Sequence, residues 1–220
     1  GQVCDVCTVC FSVPVCNPIY IPVDLVALLE GFMDPLNPGV MVPNLHTLGL
    51  SQDPTACDTV TVNLTSPAHT NINEYPNPDH TLKAILHTNG TASLLFPAAV
   101  SGNPWYISVK HRNHMETWSK LPVTFTSTTS YDFSDDLLKA YDDGINPPMA
   151  AVAGGKFAFY GGDVNQDGTV DASDMADVDN DNAVFAFGYN VTDASGDGAT
   201  DASDISIIDN NQALFLFFAR

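Results

Sequence analysis

The sequence predicts a mainly β protein: an Ig-like β-sandwich followed by a small α-helical domain with two EF-hand-type calcium loops. Three observations carry this prediction. Between residues 19 and 130, β-branched runs alternate with Pro, Gly and Asn clusters; the last sixty residues are strongly acidic; and a twelve-residue pattern inside those sixty recurs thirty positions later. With 220 residues there is room for one medium and one small unit. We divide the chain into a Cys-rich segment at 1–18, a β-sandwich domain at 19–130, a helix and linker at 131–160, and a calcium-binding domain at 161–220.

The N-terminal segment holds Cys4, Cys7, Cys10 and Cys16, and Cys57 follows in the β region. Thiolates spaced by two residues can converge on a metal or an iron–sulfur cluster. The other reading is disulfide stapling in an oxidising compartment, with Cys57 as the long-range partner and one thiol left over. Val13, Val15, Ile19, Ile21 and Val23 then alternate as a strand does, either the first of its own sandwich or one lent to a neighbour's sheet edge.

Within the β region, Thr59 to Leu64, Trp105 to Val109 and Val123 to Thr128 read as strands. Alternation puts Trp105, Ile107 and Val109 on a core face and Tyr106, Ser108 and Lys110 on a solvent face. Beyond it, Ser134 as N-cap, Leu137, Leu138 and Tyr141 as an apolar stripe and Gly144 as C-cap predict a helix of two to three turns, stopped by Pro147 and Pro148. The strip from Ala150 to Tyr160 is expected to pack the two units together or to form a strand.

Composition narrows the function. The chain has 26 acidic and 7 basic residues, a net charge of −19, which opposes attraction to nucleic acid or an anionic membrane surface. Only Glu30, Glu74 and Glu116 are glutamates, and twelve aspartates lie between Asp163 and Asp209. Short carboxylates at that density require cations. Pro97, Gly154 and Gly188 interrupt the most apolar stretches, so membrane insertion is not expected. A start without Met or a signal-like stretch fits a mature exported chain, and from the calcium loops and the cysteines we expect a secreted, cell-surface location.

Catalysis is not expected. The run Lys110-His111-Arg112-Asn113-His114-Met115-Glu116 gathers imidazoles and a carboxylate, but no activated nucleophile or recognisable acid–base pair accompanies them. Its plainer reading is a basic loop on an acidic protein, with Lys110 and Arg112 meeting the acidic face of a neighbour. Asn63, Asn89 and Asn190 stand in glycosylation sequons, and Thr59 follows Asp58 in the Asp-Thr context that bacterial systems would favour instead.

The calcium reading rests on donors at fixed offsets. A twelve-residue loop wraps one Ca2+ with oxygens at positions 1, 3, 5, 7, 9 and 12 and Gly at 6 for the sharp turn. Asp163, Asn165, Asp167, the Thr169 carbonyl, Asp171 and Asp174 supply one set around Gly168. Asp193, Ser195, Asp197, the Ala199 carbonyl, Asp201 and Asp204 supply the other around Gly198. Two ions are therefore expected, and without them each carboxylate cluster repels itself.

The run Gly162-Asp163-Val164-Asn165-Gln166-Asp167-Gly168-Thr169-Val170-Asp171 and its repeat resemble type I dockerin modules, with Asp rather than Glu at position 12. The resemblance spans about Gly161 to Phe218. It implies a non-catalytic module that docks secreted proteins onto cohesins through loop positions 10 and 11 and the following helix. Here those positions are Ala172-Ser173 and Ala202-Ser203, and Asp179-Asn180 and Asp209-Asn210 stand where the family often has Lys and Arg. With the Trp105 to Asn113 strand, the whole also resembles secreted bacterial surface proteins without enzymatic activity. We thus expect a calcium-binding structural subunit of an extracellular assembly such as a surface fibre, its partner being itself or another surface protein. The alternative is a dockerin-type anchor that docks to a cohesin-like receptor and displays an adhesin or carbohydrate-binding sandwich.

Overall fold

The computed structural model describes residues 20–69, 77–142 and 144–217. Cys4, Cys7, Cys10 and Cys16 lie outside the described residues, and with them the choice between metal and disulfide for the N-terminal segment.

Strand β1 (Tyr20–Val26) alternates as the sequence predicts, sending Ile21, Val23 and Leu25 inward. It lies in its own sheet, antiparallel to β4 (Thr91–Pro97) and parallel to β8 (Thr129–Asp132). A second sheet runs β3 (His80–His87), β2 (Ala56–Thr65), β5 (Pro104–His111), β6 (His114–Trp118), with the short β7 (Val123–Thr124) on the start of β5. Val60, Val62 and Leu64 of β2 and Ile107 and Val109 of β5 join Ala92, Leu94 and Phe96 of β4 and the β1 residues in one core. Each such side chain contributes about 1.5–3 kcal/mol by leaving water. The protein is mainly β, with two sheets sharing that core.

Four expectations need correction. The outer face of β5 is only partly solvated: Tyr106 and Lys110 are half-buried, Ser108 is fully buried, in register with Trp118, and Asn63 of β2 beside it is 7% exposed and bonded to Thr81 and Ser108. That burial removes Asn63 as an acceptor for glycan on the folded chain. Among the described residues, Cys57 is a free thiol facing the core, 4.0 Å from Met41 Sδ, rather than a long-range disulfide partner. The helix expected from Ser134 reduces to one 3-10 turn, Leu137–Lys139, capped by Asp136.

The fourth concerns the boundary. Phe133, Ala140, Met149, Ala158 and Phe159 belong to the β core, and β9 (Ala150–Val152) and β10 (Lys156–Ala158) form a hairpin whose end bridges Leu29 through Phe159. The apolar demand of the core thus absorbs residues 131–160 into the β body. Past them come two helices, α2 (Ala172–Ala183) and α3 (Ala202–Gln212), preceded in chain order by the short α1 (Asn44–Thr47) beside β2. A second core of Val164, Val170, Val178, Ile208 and Leu216 holds them together and takes Met115, Ala150 and Tyr160 from the β body.

Candidate metal centres

Each helix begins where a predicted loop ends. Asp171 caps α2 and Asp201 caps α3, each accepting from the Ser two positions on, while Asp174 and Asp204 return bonds to the N-cap amides. These capping boxes stabilise each helix start by about 1 kcal/mol. Gly168 and Gly198 take φ of 89° and 88°, the left-handed turn required at position 6.

The first loop curls around Asp163. Asp174 Oδ1 accepts from the Val164 and Asn165 amides at 2.9 and 3.2 Å, and Asp167 Oδ1 accepts from Thr169. Asp163 is almost wholly buried and its Oδ1 meets no hydrogen-bond donor. Burial, then the charges of Asp174 and Asp167, push its carboxyl up to about 7. A buried carboxylate oxygen with no donor, among like charges, is suited to a cation and to little else.

The second loop repeats these local bonds. Asp204 Oδ1 accepts from the Ser195 amide at 2.7 Å, and Asp193 accepts from the Asp197 and Gly198 amides at 3.1 and 3.2 Å. Burial pushes Asp193 up to about 6, with Arg112 opposing that rise. Among the described residues, no three His, Cys, Asp or Glu side chains converge into a ready-made cage, since the loop carboxylates are turned onto backbone amides. The donor set nevertheless suits Ca2+, which takes carbonyl, carboxylate and amide oxygens. Asp163, Asn165, Asp167, Thr169, Asp171 and Asp174 would hold one ion, and Asp193, Ser195, Asp197, Ala199, Asp201 and Asp204 the other.

Behind the second loop lies a junction that local sequence patterns do not reveal. The β5–β6 turn, read as an exposed basic loop, is interior. Arg112 Nε stands 3.2 Å from the buried Asp58 Oδ2 and Nη2 3.6 Å from Asp193 Oδ2, Nη1 donates to the Asn190 carbonyl, and the guanidinium lies over the Tyr189 ring. Tyr189 donates its hydroxyl to Asp58. Asn113 Nδ2 donates to the Val191 and Asp193 carbonyls at 3.0 and 2.7 Å.

His111 and His114 are buried with Nδ1 atoms 3.0 Å apart, and His111 Nε2 is 3.2 Å from Asp58. One protonation suits both contacts: His111 carries its proton on Nε2, on the side of Asp58, and His114 donates from Nδ1 to His111 and to Asn113 Oδ1, which is 2.9 Å away. Burial lowers both imidazoles, and the neighbouring His111 and Arg112 lower His114 further. For Asp58, burial is overcome by His111 and Arg112, which hold it well below the usual carboxylate range.

Lys110 pairs with Glu116 at 3.0 Å. The surface role expected of Arg112 is thereby overturned, because residues 189–193 return to cover it, whereas the Lys110 side chain stays 37% exposed. Asn89 is exposed and accepts from Thr91; Thr59 and Asn190 are half-buried.

No protein-family model and no curated protein matches the chain. Among solved structures it is similar to a chain of a type II cohesin–X–dockerin complex from Acetivibrio cellulolyticus carrying an N-terminal interface mutation, at 12% identity and a TM-score of 0.49, covering 87% of this chain and 94% of that one. A second such complex, mutated at the C-terminal interface, gives 14% identity, a TM-score of 0.46 and the same coverages.

Proposed function

We propose that this chain is a non-catalytic, extracellular calcium-dependent docking module built onto a β body. The observation that carries the calcium part is the buried, donor-less Asp163 Oδ1 at the first position of a loop whose donors recur thirty residues later. The docking part is the second of the two functions the sequence suggests. Two features favour it over self-assembly. Arg112, one of the two groups that would have joined copies head to tail, is engaged inside the chain, and the other, Lys110, is paired with Glu116. The helix faces remain open: Ala172, Ser173, Ala202 and Ser203 are exposed, as are Asp179, Asn180, Asp209 and Asn210. Phe185, Phe187 and Phe215 beside them are 74%, 75% and 81% exposed, apolar surface of the kind that protein partners cover. His111 and His114 are sealed from solvent and engaged with Asp58 and Asn113, which speaks for a structural rather than an enzymatic use of that turn.

The test is calorimetry with calcium and sizing with and without it. Two bound ions and a monomer in both conditions support the docking module. A calcium-dependent oligomer would return the fibre-subunit reading to first place, and absence of calcium binding would remove both.

A further inference from the structure

The two loops share their donors but not their surroundings. Beyond the amides of its own loop, Asp163 has no donor on its Oδ1, whereas Asp193 Oδ2 already faces the Arg112 guanidinium at 3.6 Å. Arg112 cannot simply swing away. Its Nε is tied to Asp58, its Nη1 to the Asn190 carbonyl, and Tyr189 and Phe32 flank its plane at 4.4 and 5.6 Å. Only a tenth of its side chain is exposed, so solvent screens it little. A fixed positive charge at that range repels a second cation and also satisfies in advance the carboxylate that would attract one.

We propose that Arg112 is an affinity-setting residue for the second loop, a resident cation that makes this loop the weaker of the two calcium sites and links its occupancy to the β5–β6 turn. The inference rests on the calcium reading above and adds an order of filling. The first loop fills first. When the second fills, the ion and the guanidinium share Asp193, and the Arg112 contacts to Asp58 and to the Asn190 carbonyl readjust with it. Asn113, bonded to the Asp193 carbonyl, carries the same event into the turn.

Calcium titration of the full chain tests this. With Asp163→Ala leaving the second loop alone and Asp193→Ala leaving the first, the second loop should bind at least about tenfold more weakly, a gap consistent with one fixed charge nearby. Adding Arg112→Gln to the Asp163→Ala chain should recover about that factor. Should Arg112→Gln fail to fold because it strands Asp58, Arg112→Gln with Asp58→Asn removes both charges and should show the same gain. In the unaltered chain, the Arg112 Nε–H resonance should move with the second calcium equivalent and not with the first. Equal affinities in the two single-loop chains, or a folded Arg112 variant whose second loop binds no tighter, would overturn the proposal while leaving the loops as calcium sites. No calcium binding at all would instead overturn the reading beneath it.

Discussion

The two candidate calcium loops carry nearly the same donors, yet the second is wedged more tightly into the β body than the first. In the first, position 4 is Gln166, held at φ 61° without being glycine, and its side chain donates to the Asp163 carbonyl at 2.7 Å. In the second, position 4 is Gly196, where a Cβ would fall 2.0 Å from Asn44 Nδ2 and 2.7 Å from the Phe32 ring. Likewise, a Cβ on Gly31 would meet the Ala194 carbonyl at 2.0 Å. A repeat in sequence is thus not a repeat in environment: local spacing sets the donors, and the surface on which each loop lands sets their electrostatics and freedom.

Four experiments would break or sharpen that contrast. The largest effect is expected above about pH 7, where Asp163 and Asp193 are both ionised, from Asp163→Ala with Asp193→Ala or from chelation, either of which should cost the helical circular dichroism of α2 and α3, because the loops then lose the ions that balance their carboxylates. Helicity unchanged in excess chelator would mean that the second core alone holds the pair. Next, Arg112→Glu sets a third carboxylate against Asp58 and Asp193 and should destabilise the chain by about 3–5 kcal/mol in denaturant titration. A near-neutral effect would return this residue to the surface and dissolve the difference between the loops.

Third, Gly196→Ala should cost about 1–3 kcal/mol through overpacking against Phe32, while the matching Gln166→Gly should cost less than about 1 kcal/mol. Equal costs would show that the second loop is no more wedged than the first. The smallest effect is that of pH on the metal-free chain. Asp163 and Asp193 have folded values raised to about 7 and about 6, above the ordinary 3.8, so the folded state holds more protons between those limits. Their contribution is fully present below about pH 4 and is lost as pH rises, up to about 6 in the second loop and about 7 in the first. Thermal midpoints in chelator should therefore fall between about pH 4 and 7 and, with Asp163→Asn, fall over a narrower range. Midpoints that rise with pH would refute the burial of these carboxylates.

What the sequence revealed follows from how local each signal is. Strands β2 and β5 could be read because β-branched alternation is a local pattern, and α2 and α3 begin at Ala172 and Ala202, where the loops close. The segment after Ser134 misled because a capping Asp and two leucines also serve a single 3-10 turn, and the core claims Phe133 and Ala140 on either side of it. The run from Lys110 to Arg112 misled for a different reason. Its charges look exposed until Asn190 and Asp193, about eighty positions later, close over them. The one hint available was Asp58, a charge set between Cys57 and the alternating valines of β2, where burial demands a partner.

The helix tails are exchanged between the repeats. Thr200 donates its amide to the Ala186 carbonyl, and Val170 donates to that of Leu216; Asn211 in turn holds the Gly161 carbonyl at 2.8 Å. Each half is therefore finished by the other, and the earlier loop waits for residues that follow the later one. During synthesis, residues 163–174 would stay open until residues 211–217 had emerged.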